Sequence, residues 1–431
     1  MTGSGSRVDI AASSARSAET SAPAHDVVIV GGGPVGLATA LYAVRAGLAP
    51  VVLEPRVGPI DKACGEGLMP AGLRALIDLG VDPPGQPLAG IRYCHNGASA
   101  TAEFRSPGRG IRRTTLHDAL AAEVRRHGIP VYAVRAVSIS QSTDAVSVTT
   151  DGDPGEVTGR YLVAADGLHS PTRAALGLDR GAPAHIPRRF GQRRHYAIAP
   201  WTDHVEVHWG RHAEVYVTPV APDCVGVAIL TSRRASYDAL LGDFPELGAR
   251  LGDAAALGRV HGAGPLRQRT SARVSGRCVL VGDASGYVDA LTGEGISLGL
   301  QHAEAAVSVI TDGDLTAYEA QWRRIGRTPS ALTHGLLLAT RAQWGRRAIV
   351  PAAGGGSLFV GGAFARQSFT LNRELYSQQG LPLRGTRQSF EAEATSFQGI
   401  AKLTWLINQD NRLSFSVFGT PSVSGGDGKY A

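Results

Sequence analysis

Three short glycine-containing signatures carry the chemistry open to this chain: Gly31-Gly32-Gly33-Pro34-Val35-Gly36, Asp166-Gly167 and Gly282-Asp283. The first is a loop suited to phosphate. Gly31 permits a tight turn, Gly33 removes a side chain so that backbone N–H groups can approach a pyrophosphate, and Gly36 lets the next helix pack closely on the sheet. The helix start at Pro34 and Val35 sets its positive end against the phosphate charge. Glu54 stands near the usual offset after such glycines, placed to accept hydrogen bonds from adenosine ribose hydroxyls. In this order, each after an apolar run, the three signatures say that the chain binds FAD. Asp166 either binds cofactor oxygens or caps the next turn; the local sequence does not separate the two. Asp283 is placed to hold the ribityl hydroxyls. A helix beginning at Gly295-Ile296 would aim its positive end at the flavin pyrimidine and favour an anionic reduced flavin. Arg113 is placed to reach flavin phosphate or ribitol oxygens, and is preferred to its neighbour Arg112.

The elements around these residues read as an α/β chain. Val27-Val28-Ile29-Val30 is a continuous β-branched run, the pattern of a parallel strand buried on both faces, and Leu37 to Gly47 reads as a helix. With Val51-Val52-Leu53 they make a βαβ unit. Leu116, Leu120 and Val124 fall on one face of a helix over 116–128. Strands are predicted at 131–137, 146–150, 161–165 and 278–281, and helices at 296–309 and 315–324. Between about 183 and 273 the pattern alternates, as in Val205-Glu206-Val207-His208-Trp209 and Glu214-Val215-Tyr216-Val217. This predicts an antiparallel sheet with one exposed face. The expected organisation is a disordered leader (1–24), a Rossmann-like FAD-binding domain (25–180 and 274–312) interleaved with a substrate-binding β-sheet domain (181–273), C-terminal helices (313–350) and a foreign or disordered tail (351–431).

Bulk properties exclude several classes. The chain has 431 residues, is 43% hydrophobic and 19% charged, and carries a net charge of +6 with no dense basic run, so no nucleic-acid partner is expected. Cys64, Cys94, Cys224 and Cys278 are scattered without a CxxC pair, which argues against a disulfide framework and a metal site. No apolar run is long enough for a transmembrane helix and the leader lacks a secretory core, so a cytoplasmic protein without stable membrane insertion is expected. Near Pro351 the composition changes: seven of the ten Phe residues lie beyond it. There Leu403 to Ile407 and Leu413 to Val417 alternate around Gln409-Asp410-Asn411, the pattern of a β-hairpin.

The order GxGxxG, DG, GD over about residues 26–350 resembles the class A flavoprotein monooxygenase superfamily, with the para-hydroxybenzoate hydroxylase fold. Asp61-Lys62-Ala63-Cys64-Gly65-Glu66-Gly67-Leu68-Met69-Pro70 and the stretch 282–295 are similar to a branch that holds natural-product tailoring enzymes and geranylgeranyl-type reductases. The resemblance implies non-covalent FAD, NADH or NADPH as co-substrate, and O2. It further implies hydroxylation or epoxidation of a small aromatic, quinolone- or polyketide-like metabolite through a flavin C4a-hydroperoxide; an aurachin-type quinoline monooxygenase is one such relative. The alternatives are an FAD-dependent reductase of isoprenoid double bonds and a non-catalytic fusion product.

Three motifs of the superfamily are missing. The Pro-Pro pair that follows GD in the hydroxybenzoate branch is replaced by Asp289-Ala290. The Trp-x-Trp-x-x-Ile-Pro signature of flavin halogenases is absent. Tyr216-Val217-Thr218-Pro219-Val220 stands where prenyl reductases have Tyr-x-Trp-x-Phe-Pro. No catalytic side chain is assigned; Tyr216 and His208 are pocket candidates on substrate-domain strands, and Cys64 falls where the branch places a residue near the flavin. The tail, about 354–431, resembles part of a TonB-dependent outer-membrane receptor. A fragment so short has no route to close a barrel, so it reads as a fusion without function, the other reading being a docked lid.

Overall fold

The computed structural model of the chain describes residues 23–95, 97–181, 187–291, 293–327, Thr333 and 377–379, together with strands Gly356–Arg373, Gln388–Leu406, Arg412–Gly419 and Ser422–Gly426. Residues 1–22 of the expected leader lie outside the described residues. So does most of the expected C-terminal helical segment beyond residue 327.

A parallel sheet runs in the order Cys278–Leu280, Glu156–Ala164, His25–Val30, Pro50–Leu53, Val131–Tyr132. Its apolar runs are continuous because both faces are covered. Val27, Ile29, Val52 and Val163 pack into the cluster under the helices, while Val28, Val51, Leu162 and Leu280 meet the hairpin Ala136–Gln141/Val146–Thr150. Helices Pro34–Arg45, Arg113–Arg126 and Gly295–Asp312 lie on the first face. Leu116, Leu120 and Val124 are all at or below 2% exposure, as their spacing requires, each contributing about 1.5–3 kcal/mol by burial. The predicted strand 131–137 is in fact two short strands, with Val134 in a non-strand connection between them.

The register of the parallel sheet decides where the signatures emerge. Val30 stands opposite Ala164, and Ala164 opposite Leu280. These are the last strand residues before the three signatures. The signatures therefore leave the carboxyl ends of three adjacent strands at one level, the edge at which open α/β sheets bind ligands.

The second sheet differs from expectation in three ways. It has eight strands, ordered Ala255–Ala263, Phe190–Ala197, Cys224–Thr231, Ala213–Ala221, His204–Trp209, Gln86–His95, Ala98–Gly110, Gly67–Leu68. Three of these precede residue 111, so the sheet is not confined to 181–273. It is mixed, because His204–Trp209 runs parallel to Gln86–His95. Its second face is also covered: helices Tyr237–Leu241 and Pro245–Leu251 pack Leu240 and Leu247 onto Val215, Val227 and Ile229. Glu206, read as an exposed residue of an alternating strand, is 1% exposed and accepts hydrogen bonds from Trp201 Nε1 (3.0 Å) and Arg250 Nη1 (3.4 Å). An alternating pattern thus hid a buried carboxylate with its own partners.

In the tail, the expected hairpin strands pair antiparallel, with Trp405 opposite Leu413 and Leu403 opposite Phe415; their turn lies outside the described residues. The four tail strands pair with one another. Among the described residues no helix is long and apolar enough to cross a membrane.

Candidate cofactor and substrate site

The glycine loop leaves His25–Val30 with Gly31 at φ +106°, where a Cβ would also stand 2.6 Å from the Ala165 carbonyl oxygen. Only glycine satisfies both conditions. A Cβ on Gly36 would lie 1.8 Å from the Gly31 oxygen and 3.3 Å from Ala165 Cβ, so this glycine closes the loop against its own helix and the neighbouring strand end. At Gly33 an added Cβ meets only Arg113 Nη2, at 3.9 Å. The loop thus leaves a cradle that a side chain would fill, under a guanidinium, at the start of a helix whose first turn no side chain caps. A diphosphate fits that donor set.

Glu54 is 4% exposed. Its Oε2 accepts from the Gly32 N–H (2.8 Å), and Arg56 reaches both oxygens with Nε (2.7 Å) and Nη2 (2.8 Å). Burial acts to raise its carboxyl, but the hydrogen bonds from Arg56 and Gly32 outweigh this and hold it below the ordinary value. Glu54 therefore braces the glycine loop. Behind the loop, His117 Nε2 lies 3.0 Å from the Gly32 carbonyl oxygen, and burial lowers the pKa of this imidazole against the opposing effect of that bond. Asp166 performs the capping role left open by the sequence, with Oδ2 accepting from Thr172 N–H at 2.9 Å; Oδ1 is buried without a protein partner. Of the two arginines, Arg113 forms part of the cavity wall and Arg112 does not.

Arg173, unmarked in the sequence, fastens the second and third signatures together. It is 2% exposed and donates from Nη1 to Ala284 O (3.1 Å), from Nη2 to Leu168 O and Gln268 Oε1 (both 3.2 Å), and from Nε to Asp179 (2.7 Å). Lys62 and Asp283 face the same space. Burial pushes the Lys62 ammonium down, and Arg56 and Arg113 push it further. Burial pushes the Asp283 carboxyl up against the opposing pull of Arg113 and Lys62. Arg56, Lys62 and Arg113 crowd positive charge over the glycine loop, a field that favours an anionic ligand.

Gly33, Arg56, Lys62, Arg113, Asp166 and Asp283 line one cavity of about 1160 Å³, which also takes in Pro34, Val35, Gly295 and Ile296. That exceeds the roughly 300–1,000 Å³ of ordinary ligand pockets, so a cofactor and a second molecule can share it. The opposite wall comes from the mixed sheet: Tyr93, Val205, Val207, Trp209, Tyr216 and Leu230. Tyr216 reaches the cavity, but its hydroxyl is engaged with Leu291 O at 3.0 Å. His208 does not; it points to the other face, with Nε2 3.2 Å from Glu206. Cys64 lies in the wall, and burial raises its thiol. Among the described residues no cluster suited to a metal ion is found.

Comparison with known proteins agrees with this geometry. Residues 24–192 match the family described as FAD binding domain. The chain is 29% identical over 321 residues to a menaquinone reductase of Mycobacterium tuberculosis, covering 67% of this chain and 77% of the relative. A match of that extent cannot fit within residues 24–192. A 3-(3-hydroxy-phenyl)propionate/3-hydroxycinnamic acid hydroxylase of Mycobacterium sp. is 32% identical, but only over 167 residues, 36% of this chain and 29% of the relative. Among solved structures, the flavin-dependent halogenase CmlS shares the fold, with a TM-score of 0.66 at 21% identity over 75% of this chain; the chain spans 65% of that protein.

Proposed function

We propose, taking as premise that this chain is an FAD-dependent oxidoreductase, that it reduces an apolar ring-bearing substrate of the prenylated-quinone or isoprenoid class. The observation that carries this reading is the cavity's second wall, which is aliphatic and aromatic and faces the three signatures directly. One relative that extends past the FAD-binding segment is a menaquinone reductase, which supports the same substrate class.

The glycine loop, Arg113 and Lys62 would hold the cofactor's phosphates, Asp283 its polyol, and the helix start at Gly295-Ile296 its ring system. FAD, when bound, supplies two-electron transfer between a nicotinamide donor, NADH or NADPH, and the substrate. Val205, Val207 and Leu230 exclude water from that face, and Trp209 and Tyr93 offer rings for stacking. Tyr216, held by Leu291, shapes the wall and does not donate a proton from its bonded hydroxyl.

A second reading, an NAD(P)H- and O2-dependent monooxygenase of a small aromatic metabolite, draws on Tyr93, Phe104 and Trp209 in the wall. It draws also on the replaced prenyl-reductase motif at Tyr216–Val220. Residues 351–431 stand outside both readings. The discriminating experiment reduces the holoenzyme under anaerobic conditions and adds menaquinone. Reoxidation of the flavin without O2 supports the reductase. A flavin that stays reduced, with oxygen uptake stimulated by phenolic or quinolone substrates in air, overturns it in favour of the monooxygenase.

A further inference from the structure

The connection between Leu53 and Gly67 contains no helix or strand, yet it carries Arg56, Lys62 and Cys64 into the cavity wall. Glu66 ends it at φ +60°, the one described non-glycine residue with positive φ, and is 4% exposed. A glutamate keeps such a conformation only where its surroundings fix it. Here they do. Its Oε1 accepts the Arg113 backbone N–H at 2.8 Å, and its Oε2 lies 2.7 Å from His195 Nε2 on the mixed sheet. Its carbonyl accepts from Ile111 N–H, and Thr218 Oγ1 on the sheet donates to the adjacent Gly65 carbonyl at 2.7 Å.

The far side of His195 defines its tautomer. Arg193 Nη1 stands 3.0 Å from His195 Nδ1, and a guanidinium only donates, so Nδ1 accepts and Nε2 carries the hydrogen given to Glu66. Arg193 is 2% exposed and also bonds Asp61, midway along the same connection, and the Lys62 carbonyl oxygen at 3.1 Å. The sheet makes room for the carboxylate as well. Gly226 lies opposite His195 in register, and a Cβ there would stand 2.7 Å from Glu66 Oε2.

We infer that Glu66 is a positioning residue: with His195 and Arg193 it latches the 54–66 connection and the Arg113 helix start to the substrate sheet, and so sets the placement of the cofactor-holding cations. The inference rests on the reading that this cavity holds FAD. The latch places Arg113, whose backbone N–H Glu66 accepts, and Lys62, whose carbonyl Arg193 holds; Glu66 also stands in the cavity wall, and its role here is exerted through these two cations.

The test measures FAD affinity of the full chain, stripped of flavin and titrated with FAD, together with KM and kcat for menadione reduction. Glu66→Gln turns an amide N–H toward one of two donors, because Arg193 prevents His195 from changing tautomer. FAD binding is expected to weaken roughly tenfold or more, with kcat falling more than KM rises. Arg193→Met frees Nδ1 but also removes the bonds to Asp61 and Lys62, so the double variant Glu66→Gln/Arg193→Met is expected to lose clearly less affinity than the sum of the two single losses. Independent structural roles give additive losses. Gly226→Ala keeps every polar group but displaces the carboxylate; it is expected to weaken FAD binding as Glu66→Gln does, and it serves where the latter does not fold. Wild-type affinity in both Glu66→Gln and Gly226→Ala, or a double variant with additive losses, overturns the latch. A wild-type chain that takes up no FAD overturns the cofactor reading beneath it.

Discussion

The two walls of the cavity are made of different material. On the parallel-sheet side the wall is backbone, glycine and charge: Gly33, Pro34 and Val35 of the glycine loop, the cations Arg56, Lys62 and Arg113, and the carboxylates Asp166 and Asp283. On the mixed-sheet side it is Val205, Val207, Trp209 and Leu230, apolar side chains standing on alternate positions of paired strands. The loop behind the first wall tolerates almost no added atoms at two positions, since a Cβ on Gly31 or Gly36 would stand within 3 Å of a backbone oxygen. The second defines a shape that other apolar residues would also define. A cofactor wall of this kind is expected to be common to many enzymes, and a substrate wall of the second kind to vary among them.

The largest expected effect breaks the first wall. Gly36→Val places its Cβ on the Gly31 oxygen, 1.8 Å away in the present backbone. It should cost about 3 kcal/mol or more and abolish flavin retention, measured by unfolding and by absorbance of the purified protein. Flavin retained at full occupancy would show that the loop is not the phosphate cradle.

Arg173→Met should follow. It leaves the Ala284 and Leu168 carbonyls without their donor and parts the second signature from the third. A loss of about 3 kcal/mol is expected in denaturant unfolding, with weaker FAD binding alongside.

Behind the cofactor wall, His302 sharpens the contrast through pH. It stacks on Trp322 with ring centroids 5.6 Å apart, and burial, aided by Arg273, lowers its pKa to about 4. A folded pKa below the unfolded value of about 6.5 means that the unfolded chain binds the extra proton first. The contribution is intact above pH 6.5 and is lost as pH falls toward 4, by about 3 kcal/mol in all. His302→Leu should flatten that part of the stability profile; an unchanged slope would place the titration elsewhere.

The smallest effect on the protein itself comes from the second wall. Ala228→Trp adds a ring to the cavity face of the mixed sheet. It should raise KM for the apolar substrate at least tenfold while leaving FAD affinity within about twofold, as expected for a pocket set by shape. Equal losses of both would mean that the two walls are not separable.

The same difference explains what the sequence disclosed. Gly31 and Gly36 are legible because backbone geometry admits no substitute, Gly33 because a side chain would fill the cradle, and the buried runs before Asp166 and Asp283 mark strands covered on both faces. Glu206 misled because alternation is a statement about two faces, and the second face was covered by helices rather than water. Glu66, His195 and Arg173 were invisible in the sequence, since the partners that matter, His195 for Glu66 and Ala284 for Arg173, lie more than 100 residues away and are brought together only by the fold. The strands at 67–110 joined the mixed sheet for the same reason: pairing across such distances leaves no local mark.

Everything proposed for the cavity rests on FAD binding at the signature edge of the parallel sheet. The direct measurement is the flavin content of the purified chain, released by denaturation and identified, with reconstitution of any flavin-free fraction. The prediction is one FAD per chain, with a visible spectrum perturbed by an apolar quinone. A colourless protein that takes up neither FAD nor FMN would contradict it.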